Sequence, residues 1–518
     1  MPIGAAIIRN FYRDSVALMR LSSQISERPE INQASAVMAT EANQALLREA
    51  GLLAEGVAAG PNDLLVVVDG QGDAAVAEAL QAARSALDQK PAQHGGGRRS
   101  DPPPRSLQMG IEKAPEANLA IVSTPGAYAA SEAFKALRLG LNVMLFSDNV
   151  GEDDELALKR YARQRQLLVM GPDCGTAILN GVPLGFANVV RRGAIGVVAA
   201  SGTGAQLVTC LIDRFGEGVS QAIGTGGHDL SRKIGGVTAL QGLEALGEDE
   251  ATKVVVLISK PPAAEVAEKT LDRASGLGKP VVVCFLGADP RAVQRPNVTA
   301  ARTLEEAARL AVALAGARTP QLAAPVWPPQ APLFAPEQKY VRGLYSGGTF
   351  CFEAAMLLGA RASPVFTNTP VGAAALLPDV WKSQGHTLID LGDDVFTRGR
   401  PHPMIDHRLR NERIVKESGD PETAVIVLDV VLGYGSNPNP AGEVVPVIAA
   451  SRARAAESGR QIAFVGFVCG VERDPQVLSK QETALAEAGV ILAQSSAQAI
   501  DVAAKLVGAT SEMGRSAK

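Results

Sequence analysis

The chain is poor in aromatic residues, and it has no block of basic residues. Aromatic side chains make up 4% of the 518 residues, and the formal net charge is −4. Few aromatics leave little stacking surface for nucleic acid, and the lack of a basic run excludes a polybasic membrane anchor. We therefore expect small molecules or other proteins as partners, with no nucleic acid and no membrane.

Cysteine is also scarce. The five cysteines contain no C-x-x-C pair and stand at Cys174, Cys210, Cys284, Cys351 and Cys469. Their spacing implies neither a disulfide framework nor a zinc site, so no metal is predicted. The N-terminus lacks a basic region followed by an apolar core, and no apolar stretch approaches the roughly 20 residues that span a bilayer. A reducing, cytoplasmic location fits these features best.

What the sequence does contain is a regular alternation of short apolar runs and helical patterns. This alternation predicts an α/β protein with parallel sheets, in which many short βα connections account for 52 glycines and 32 prolines. The predicted segments are a small α+β domain of order βαβαβα at 1–89, a flexible linker at 90–115, a partial Rossmann-like domain at 116–190, a parallel α/β domain at 191–318, a proline-rich linker at 319–338, a third parallel α/β domain at 339–509 and a polar tail at 510–518.

Glycine-rich turns follow several apolar runs. One run of β-forming residues ends at Ser201-Gly202-Thr203-Gly204, and another ends at Gly433-Tyr434-Gly435. Glycine allows a tight turn and a close approach to a ligand, while the N–H groups and dipole of a following helix favour an anion. Each turn is therefore a candidate anion site, although glycine also ends strands in any α/β fold. Gly226-Gly227 and Gly347-Gly348-Thr349 lie in similar loops.

Residues 118–290 resemble the α subunit of succinyl-CoA synthetase. The resemblance rests on three ordered blocks, at 171–175 (GPDCG), 197–203 (VVAASGT) and 223–228 (IGTGGH). Residues 340–505 similarly resemble the carboxyl-terminal ligase domain of the β subunit, through 347–349 (GGT), 388–392 (LIDLG) and 433–435 (GYG). This head-to-tail order behind an unrelated amino-terminal domain is similar to the FdrA family. The two later domains are thus expected to be flavodoxin-like domains of succinyl-CoA synthetase type.

In the synthetase family, two helix starts face each other around a phosphorylated histidine. The resemblance implies that Ser201, Gly202 and Thr203 bracket one phosphate together with Gly433, Tyr434 and Gly435. Two half-positive helix ends with N–H and hydroxyl donors can hold an oxyanion without a full cationic charge nearby.

The chain also departs from the synthetases. The nucleotide-grasp domain has no counterpart, residues 295–300 (RPNVTA) contain no histidine where the family carries its phosphohistidine, and the glycine-rich loop that cradles CoA is missing. What the FdrA resemblance implies is a subunit of oxamate carbamoyltransferase, which splits oxalurate with phosphate into oxamate and carbamoyl phosphate in ureide (allantoin) catabolism. No cofactor is assigned, and phosphate is expected as a substrate.

Two alternatives remain open. The first is an acyl-CoA synthetase subunit that binds CoA and receives its nucleotide domain from another chain, and the second is a non-catalytic scaffold that holds other subunits. In each case we expect partner subunits and an oligomer.

Two further groups of side chains are candidate site residues. His228 follows Gly226-Gly227 and is a candidate catalytic hydrogen-bond donor or general acid, or else a histidine of a surface loop. A second group, in a segment inserted relative to the synthetases, could bind a substrate carboxylate through arginine forks, or it could belong to a solvated loop: Arg400, His402, His407 and Arg408.

Overall fold

The structure is a computed structural model that describes residues 2–13, 15–49, 51–53, 57–88, 104–316, 319–330, 332–397 and 400–516. It divides the chain into two compact units. One comprises Met1–Ala117 with Asp394–His402, and the other comprises Asn118–Asp393 with Pro403–Lys518. No helix of the described part combines the length and the apolar character that crossing a membrane requires.

The first unit contains an antiparallel three-stranded sheet covered by helices. Its first elements are β1 (Ile3–Ile8), α1 (Ser15–Ser26), β2 (Ile31–Met38), α2 (Glu41–Glu49), β3 (Leu64–Gly70), α3 (Asp73–Asp88) and α4 (Leu107–Lys113). The strand order is β1-β3-β2, with the wholly apolar Leu64–Val68 segment of β3 buried in the centre. The βαβαβα order agrees with the sequence pattern.

Helix α4 lies inside the segment that the sequence predicts to be a linker. The Ser106 hydroxyl accepts a hydrogen bond from the Met109 N–H (3.2 Å) and so caps the helix, which the density of glycine and proline just before it concealed. Residues 90–103 of the predicted linker lie outside the described residues.

The second unit begins with a small parallel sheet. Its elements are β4 (Leu119–Val122), α5 (Gly126–Arg138), β5 (Asn142–Leu145), α6 (Glu152–Gln164) and β6 (Val169–Met170), with strand order β4-β5-β6. This is half of a Rossmann-like domain. The following strands, β7 (Thr176–Leu179) and β8 (Val182–Gly185), do not extend it, although the predicted domain reached residue 190; β7 pairs instead with a strand of the next sheet.

A second sheet follows in the chain. Its elements are β9 (Arg192–Ala199), α7 (Gly202–Arg214), β10 (Val219–Gly224), α8 (Val237–Glu248), β11 (Val254–Ser259), α9 (Ala264–Ser275), β12 (Val281–Phe285), α10 (Pro290–Val293), β13 (Val298–Ala300) and α11 (Leu304–Leu314). Strands β9 to β13 are parallel in the flavodoxin-like order β10-β9-β11-β12-β13, and β7 and β8 complete the β10 edge in antiparallel pairing. The carboxyl ends of β9 and β11 therefore flank the switch point, where such sheets bind ligands.

The third sheet repeats this arrangement. Its elements are β14 (Tyr340–Tyr345), α12 (Gly348–Gly359), β15 (Val365–Thr367), β16 (Ala375–Leu376), β17 (His386–Asp390), α13 (Asp394–Thr397, in the first unit), α14 (Arg408–Gly419), β18 (Thr423–Val431), α15 (Pro440–Glu457), β19 (Ala463–Cys469), α16 (Leu478–Glu487), β20 (Ile491–Ala493) and α17 (Ser496–Ser516). The order is β16-β15-β17-β14-β18-β19-β20, all parallel, so β14 and β18 flank its switch point. The predicted polar tail is helical to Ser516, since no proline interrupts α17.

One hydrophobic core joins the second and third sheets. Buried residues of α7, α11, α12 and α17 form a single cluster, in which the rings of Phe350 and Phe467 pack edge to face at 5.2 Å. Burying each such large apolar side chain contributes roughly 1.5–3 kcal/mol. The predicted α/β class with parallel sheets is confirmed. The shared core also packs α7 against α12, so helices that begin at two different sheets are neighbours.

Candidate functional site

The first half of the site is the beginning of α7. Apolar β9 ends at Ala199, and the Ser201 hydroxyl caps the helix by accepting a hydrogen bond from the Gly204 N–H at 2.9 Å. A Cβ at Gly204 would lie 2.5 Å from that hydroxyl oxygen, so this position needs glycine. Within the described residues the N–H groups of Gly202 and Thr203 have no acceptor, as expected for a first helical turn. These two N–H groups are available to a ligand.

The second half is the beginning of α12. The buried carboxylate of Asp429, on β18, accepts hydrogen bonds from the N–H groups of Ser346 and Gly347, each at 2.8 Å. Buried Arg410 holds this carboxylate at 3.2 Å and donates to the Ser346 hydroxyl at 2.9 Å. Burial raises the pKa of Asp429, against the effect of the Arg410 charge. The loop is thereby fixed, and the next two N–H groups, of Gly348 and Thr349, have no acceptor among the described residues.

The two helix starts meet. The hydroxyl oxygens of Ser201 and Thr349 are 2.5 Å apart, and a Cβ at Gly347 would lie 3.0 Å from the Thr203 methyl carbon. Free N–H groups and partial positive charges from two helices therefore converge beside one pair of hydroxyls. This arrangement has the donors and the charge that an oxyanion requires.

The turn at residues 433–435, which the sequence analysis places opposite α7, does not begin a helix, and α12 is the helix whose start packs against α7. The next helix, α15, starts at Pro440. The Gly433 N–H donates to Gln476 Oε1 at 3.0 Å, and the Tyr434 N–H donates to the Ala187 carbonyl at 2.9 Å. Both N–H groups are thus taken by protein acceptors. Gly433 has φ +103° and a Cβ there would lie 2.6 Å from the Ala187 oxygen, so packing explains this glycine.

A cation that the sequence reading missed stands beside the site. Lys260 follows β11 and is half-buried. Because Ile258 pairs with Ala199 in the sheet, Lys260 and Ser201 occupy equivalent positions past the ends of neighbouring strands. The Lys260 Nζ lies 5.4 Å from the ring centroid of Phe352, on α12, and its charge acts on the nearby Asp390 carboxyl group. The sequence analysis named no full cation for this site, and Lys260 supplies one. A lysine directly after a buried strand was the available signal.

A buried carboxyl group also borders the site. Asp390 ends β17, is 7% exposed, and lies against the first residue of α12, since a Cβ at Gly348 would be 2.4 Å from Asp390 Oδ2. Burial raises its pKa to about 6, and the Lys260 charge opposes that rise.

His228 lies in the loop after β10. Its side chain is 67% exposed, with Nδ1 3.8 Å from Oε2 of buried Glu155. Lys159 binds Glu155 at 2.6 Å and Asp229 at 2.7 Å beneath this loop. Gly226 has φ +85° and lies against the Pro172 carbonyl, where a Cβ would be 2.3 Å from the oxygen. A Cβ at neighbouring Gly227 would be in ordinary contact with the Asp173 carboxylate, at 3.9 Å. The catalytic role of His228 stays a prediction.

The four residues predicted to bind a carboxylate have different settings. Arg400 and His402 belong to the first unit, where burial lowers the pKa of His402 to about 4. In the second unit, the Arg408 guanidinium is engaged by Asp406, with Nε 2.9 and 3.0 Å from its two oxygens. His407 is buried, and its Nδ1 lies 3.7 Å from Glu443 Oε2. Buried Arg410, which these four did not include, is the arginine that reaches the loop before α12.

Asp474 joins the third sheet to the chain before β9, and Gln476 fixes the turn that follows β18. The Asp474 carboxylate accepts hydrogen bonds from the Asn188 side chain, the Val189 N–H and the Val471 N–H, each at 2.8 Å. Gln476 binds both the N–H and the carbonyl of Gly433. The Asp474 hydrogen bonds thus tie the segment before β9 to the loop after β19.

The cysteines do not contribute reactive groups. All five are free and buried, and burial raises the pKa of Cys174 to about 12. The Cys174 thiol instead lies 3.5 Å from the Gly224 carbonyl oxygen, as a weak hydrogen-bond donor. Among the described residues no group of three histidine, cysteine or carboxylate side chains could hold a metal ion.

Three protein-family models match parts of the chain. They are "AllF, heavy metal-associated domain" at residues 1–103, "CoA binding domain" at residues 191–287 and "CoA-ligase" at residues 344–506. Residues 1–103 contain no cysteine, the ligand that soft heavy metals prefer. They do not fit a heavy-metal site, and no metal is assigned to them.

Among curated proteins, the chain is 44% identical to the uncharacterized protein YahF of Escherichia coli over 96% of this chain and 97% of that protein. It is also 29% identical to the succinate–CoA ligase α subunit 1 of Archaeoglobus fulgidus, over 33% of this chain and 58% of that subunit. The Staphylococcus epidermidis α subunit is 27% identical over 55% of its length. This chain thus spans little more than half the length of these succinate–CoA ligase subunits.

Among solved structures, the chain is similar to the dinucleotide-forming acetyl-coenzyme A synthetase 1 of Ca. Korarchaeum cryptofilum. The identity is 14% and the TM-score 0.32, over 76% of this chain and 83% of that one. The chain is also similar to the Pyrococcus horikoshii protein PH0766, with 15% identity and a TM-score of 0.34 over 80% of this chain and 88% of that one. With TM-scores this low, neither likeness carries information about ligands.

Proposed function

The chain belongs to the FdrA-type family that includes YahF, and from this premise we propose that it is a subunit of a phosphate-dependent carbamoyl or acyl transferase. The specific reaction proposed is that of oxamate carbamoyltransferase: oxalurate and phosphate give oxamate and carbamoyl phosphate, in ureide catabolism. A phosphate oxygen attacks the carbamoyl carbon, the carbon–nitrogen bond breaks, and the nitrogen leaves with a proton as the amide of oxamate.

The observation that carries the proposal is the convergence of α7 and α12. The hydroxyls of Ser201 and Thr349 touch, unpartnered N–H groups surround them, and Lys260 adds a full positive charge. Such a site binds phosphate and stabilises the charge that develops when phosphate attacks a carbonyl carbon. Few titratable groups are needed, because fixed backbone donors supply most of the stabilisation.

The segment without histidine supports direct use of phosphate. Arg295 pairs with Glu268 at 2.6 Å, and Val298–Ala300 form edge strand β13 beside β12. This segment is part of a sheet and offers no side chain that could carry a phosphoryl group between distant sites. A reaction that takes inorganic phosphate straight into the cleft needs no such carrier.

The test is phosphate-dependent formation of carbamoyl phosphate from oxalurate by the complex of this chain with its co-purifying subunits. We expect turnover that saturates with phosphate and disappears in a variant with both Ser201→Ala and Thr349→Val. The absence of turnover in every reconstituted complex would refute the proposal.

A second candidate is an acyl-CoA synthetase subunit, which the CoA-ligase and CoA-binding matches favour. Against CoA binding in the first parallel sheet, the start of α5 is occupied by carbonyl groups. A Cβ at Gly126 would lie 2.4 Å from the Asp148 oxygen and 2.5 Å from the Asn149 oxygen, and such acceptors repel a phosphate group. Calorimetry with CoA and with inorganic phosphate separates the two candidates: micromolar CoA affinity supports the synthetase, and phosphate binding alone supports the transferase.

A further inference from the structure

Asp390 is a buried carboxyl group at the cleft, and only one of its two oxygens accepts a hydrogen bond from the described residues. Asp390 Oδ1 accepts a hydrogen bond from the Gly392 N–H at 2.9 Å, whereas Oδ2 accepts none from the described residues. The backbone of Asp390 is held on both sides by the Asn368 amide, at 2.9 and 3.0 Å. The carboxyl group is therefore rigidly placed with one oxygen available.

The free oxygen lies at the helix start that faces Ser201. Tyr345 pairs with Asp390 in the sheet, so β14 and β17 end side by side, and Gly348 opens α12 directly beyond. Because a Cβ at Gly348 would come within 2.4 Å of Oδ2, the glycine leaves room for this carboxyl group. Asp390 thus borders the unpartnered N–H groups of Gly348 and Thr349.

Charges on every neighbouring element act on Asp390. Lys260, after β11, favours its ionised form, while Asp429 on β18 and Asp393 after β17 oppose it. The negative charge of Asp390 raises the pKa of the Cys351 thiol, on α12, and the positive charge of Lys260 lowers it. Anion binding in the cleft would add further negative charge beside Asp390. Its protonation is therefore coupled to occupancy of the cleft.

We propose that Asp390 is a catalytic residue that relays a proton from the attacking phosphate to the leaving nitrogen, with Lys260 holding the phosphate. This inference rests on the proposed function. The ionised carboxylate accepts the hydroxyl proton of HPO₄²⁻ as the phosphate oxygen bonds to the carbamoyl carbon. It then delivers that proton to the amide nitrogen as the carbon–nitrogen bond breaks, so Asp390 starts and finishes ionised. The pKa of about 6, raised by burial, suits a group that both accepts and gives a proton near neutral pH.

The first test is the pH dependence of kcat/KM in the complete complex. With kcat/KM expressed per HPO₄²⁻ present at each pH, the value for the native protein should fall as the pH drops through about 6, since a protonated Asp390 cannot accept the phosphate proton. D390N should lose at least about a hundredfold in kcat and show no such acidic limb, whereas D390E should restore part of the rate together with the limb. The matched control is E353Q, which changes a buried carboxyl group of α12 that accepts from the Leu304 N–H, and it should leave the limb in place. A native-like limb in D390N would overturn the proposal.

The second test needs no turnover and uses sulfate, whose charge is constant between pH 5 and 8. By calorimetry, sulfate affinity of the native chain should rise about tenfold as Asp390 is protonated, and D390N should already bind with the high affinity at pH 8. If native and D390N proteins show the same pH dependence, the inference falls while the proposed function stands. If the pH dependence appears but no complex forms carbamoyl phosphate, the proposed function and the relay fall together, and only the coupling of Asp390 to anion binding remains.

Discussion

Ser201 and Thr349 are separated by 148 positions in the chain, and their hydroxyl oxygens are 2.5 Å apart. Each hydroxyl lies at the beginning of a helix that follows the first strand of a flavodoxin-like sheet. The contact therefore joins equivalent points of two separate sheets. It makes one cleft from two helix starts, neither of which binds an anion strongly alone.

Removing these hydroxyls should weaken phosphate binding. We expect S201A and T349V each to lower phosphate affinity by about tenfold, because each loses a hydrogen-bond donor to a charged ligand. S201A also loses a helix cap, at about 1 kcal/mol of stability. Calorimetric titration with inorganic phosphate measures the affinity.

T303A is the matched control for S201A. Thr303 caps α11 by accepting from the Glu306 N–H at 3.1 Å, so T303A should lose comparable stability and keep its phosphate affinity. Equal loss of affinity in T303A and S201A would mean that stability, and not contact with phosphate, determines the effect.

Two glycines of the cleft should respond differently to alanine. A Cβ at Gly348 would lie 2.4 Å from Asp390 Oδ2, whereas at Gly202 the nearest atom, Thr176 Oγ1, is 3.5 Å away. We expect G348A to displace the Asp390 carboxyl group and reduce turnover by about a hundredfold, and G202A to change it by less than about fivefold. Steady-state kinetics of the complex provide the comparison, and equal effects would contradict the described packing.

Lysine 260 should contribute most of the salt-dependent part of phosphate binding. K260M is expected to reduce phosphate affinity about tenfold at low ionic strength and to flatten its dependence on salt. Lys253 is exposed at the opposite end of β11, so K253M serves as the control and should bind phosphate as the native chain does. Titrations at two salt concentrations test this, and a steep salt dependence in K260M would place the cation elsewhere.

Glu353 should make the second unit less stable at high pH. Burial raises the pKa of Glu353 from 4.5 to about 7, so its ionisation opposes folding. The protonated form of Glu353 stabilises the fold, and its contribution is fully present below pH 4.5. As the pH rises towards 7 the group ionises and the free energy of unfolding falls by about 3 kcal/mol. E353Q should remove this loss while still accepting from the Leu304 N–H.

Urea unfolding at pH 5 and pH 8 measures that difference. Compared with the native chain, E353Q should gain stability at pH 8 relative to pH 5, and E250Q, which changes an exposed carboxylate, should not. Parallel behaviour of all three proteins would show that Glu353 ionises normally.

Local patterns in the sequence predicted the helices and strands better than they predicted which helix starts pack against each other. Ser201 was recognisable as a helix start because a β-forming run leads directly to a serine and glycines. The turn at residue 433 has the same local pattern, but its N–H groups are used by Gln476 and Ala187, which are distant in sequence. Which helix start faces α7 depends on how two sheets pack, and no local pattern records this. Lys260 was missed for the same reason: its role comes from strand register, and the following prolines resemble an ordinary loop.

The hydrogen bonds of Asp474 with Asn188 and Val189 have a consequence for the integrity of the cleft. Because both helix starts reside on one polypeptide and are clamped in this way, each is present near the other at a high effective concentration. Dilution cannot separate them, as it can when two chains share a cleft. Proteolytic cutting between residues 319 and 338 removes this connection, so the two fragments should stay associated and bind phosphate only because the shared apolar core and the Asp474 hydrogen bonds remain.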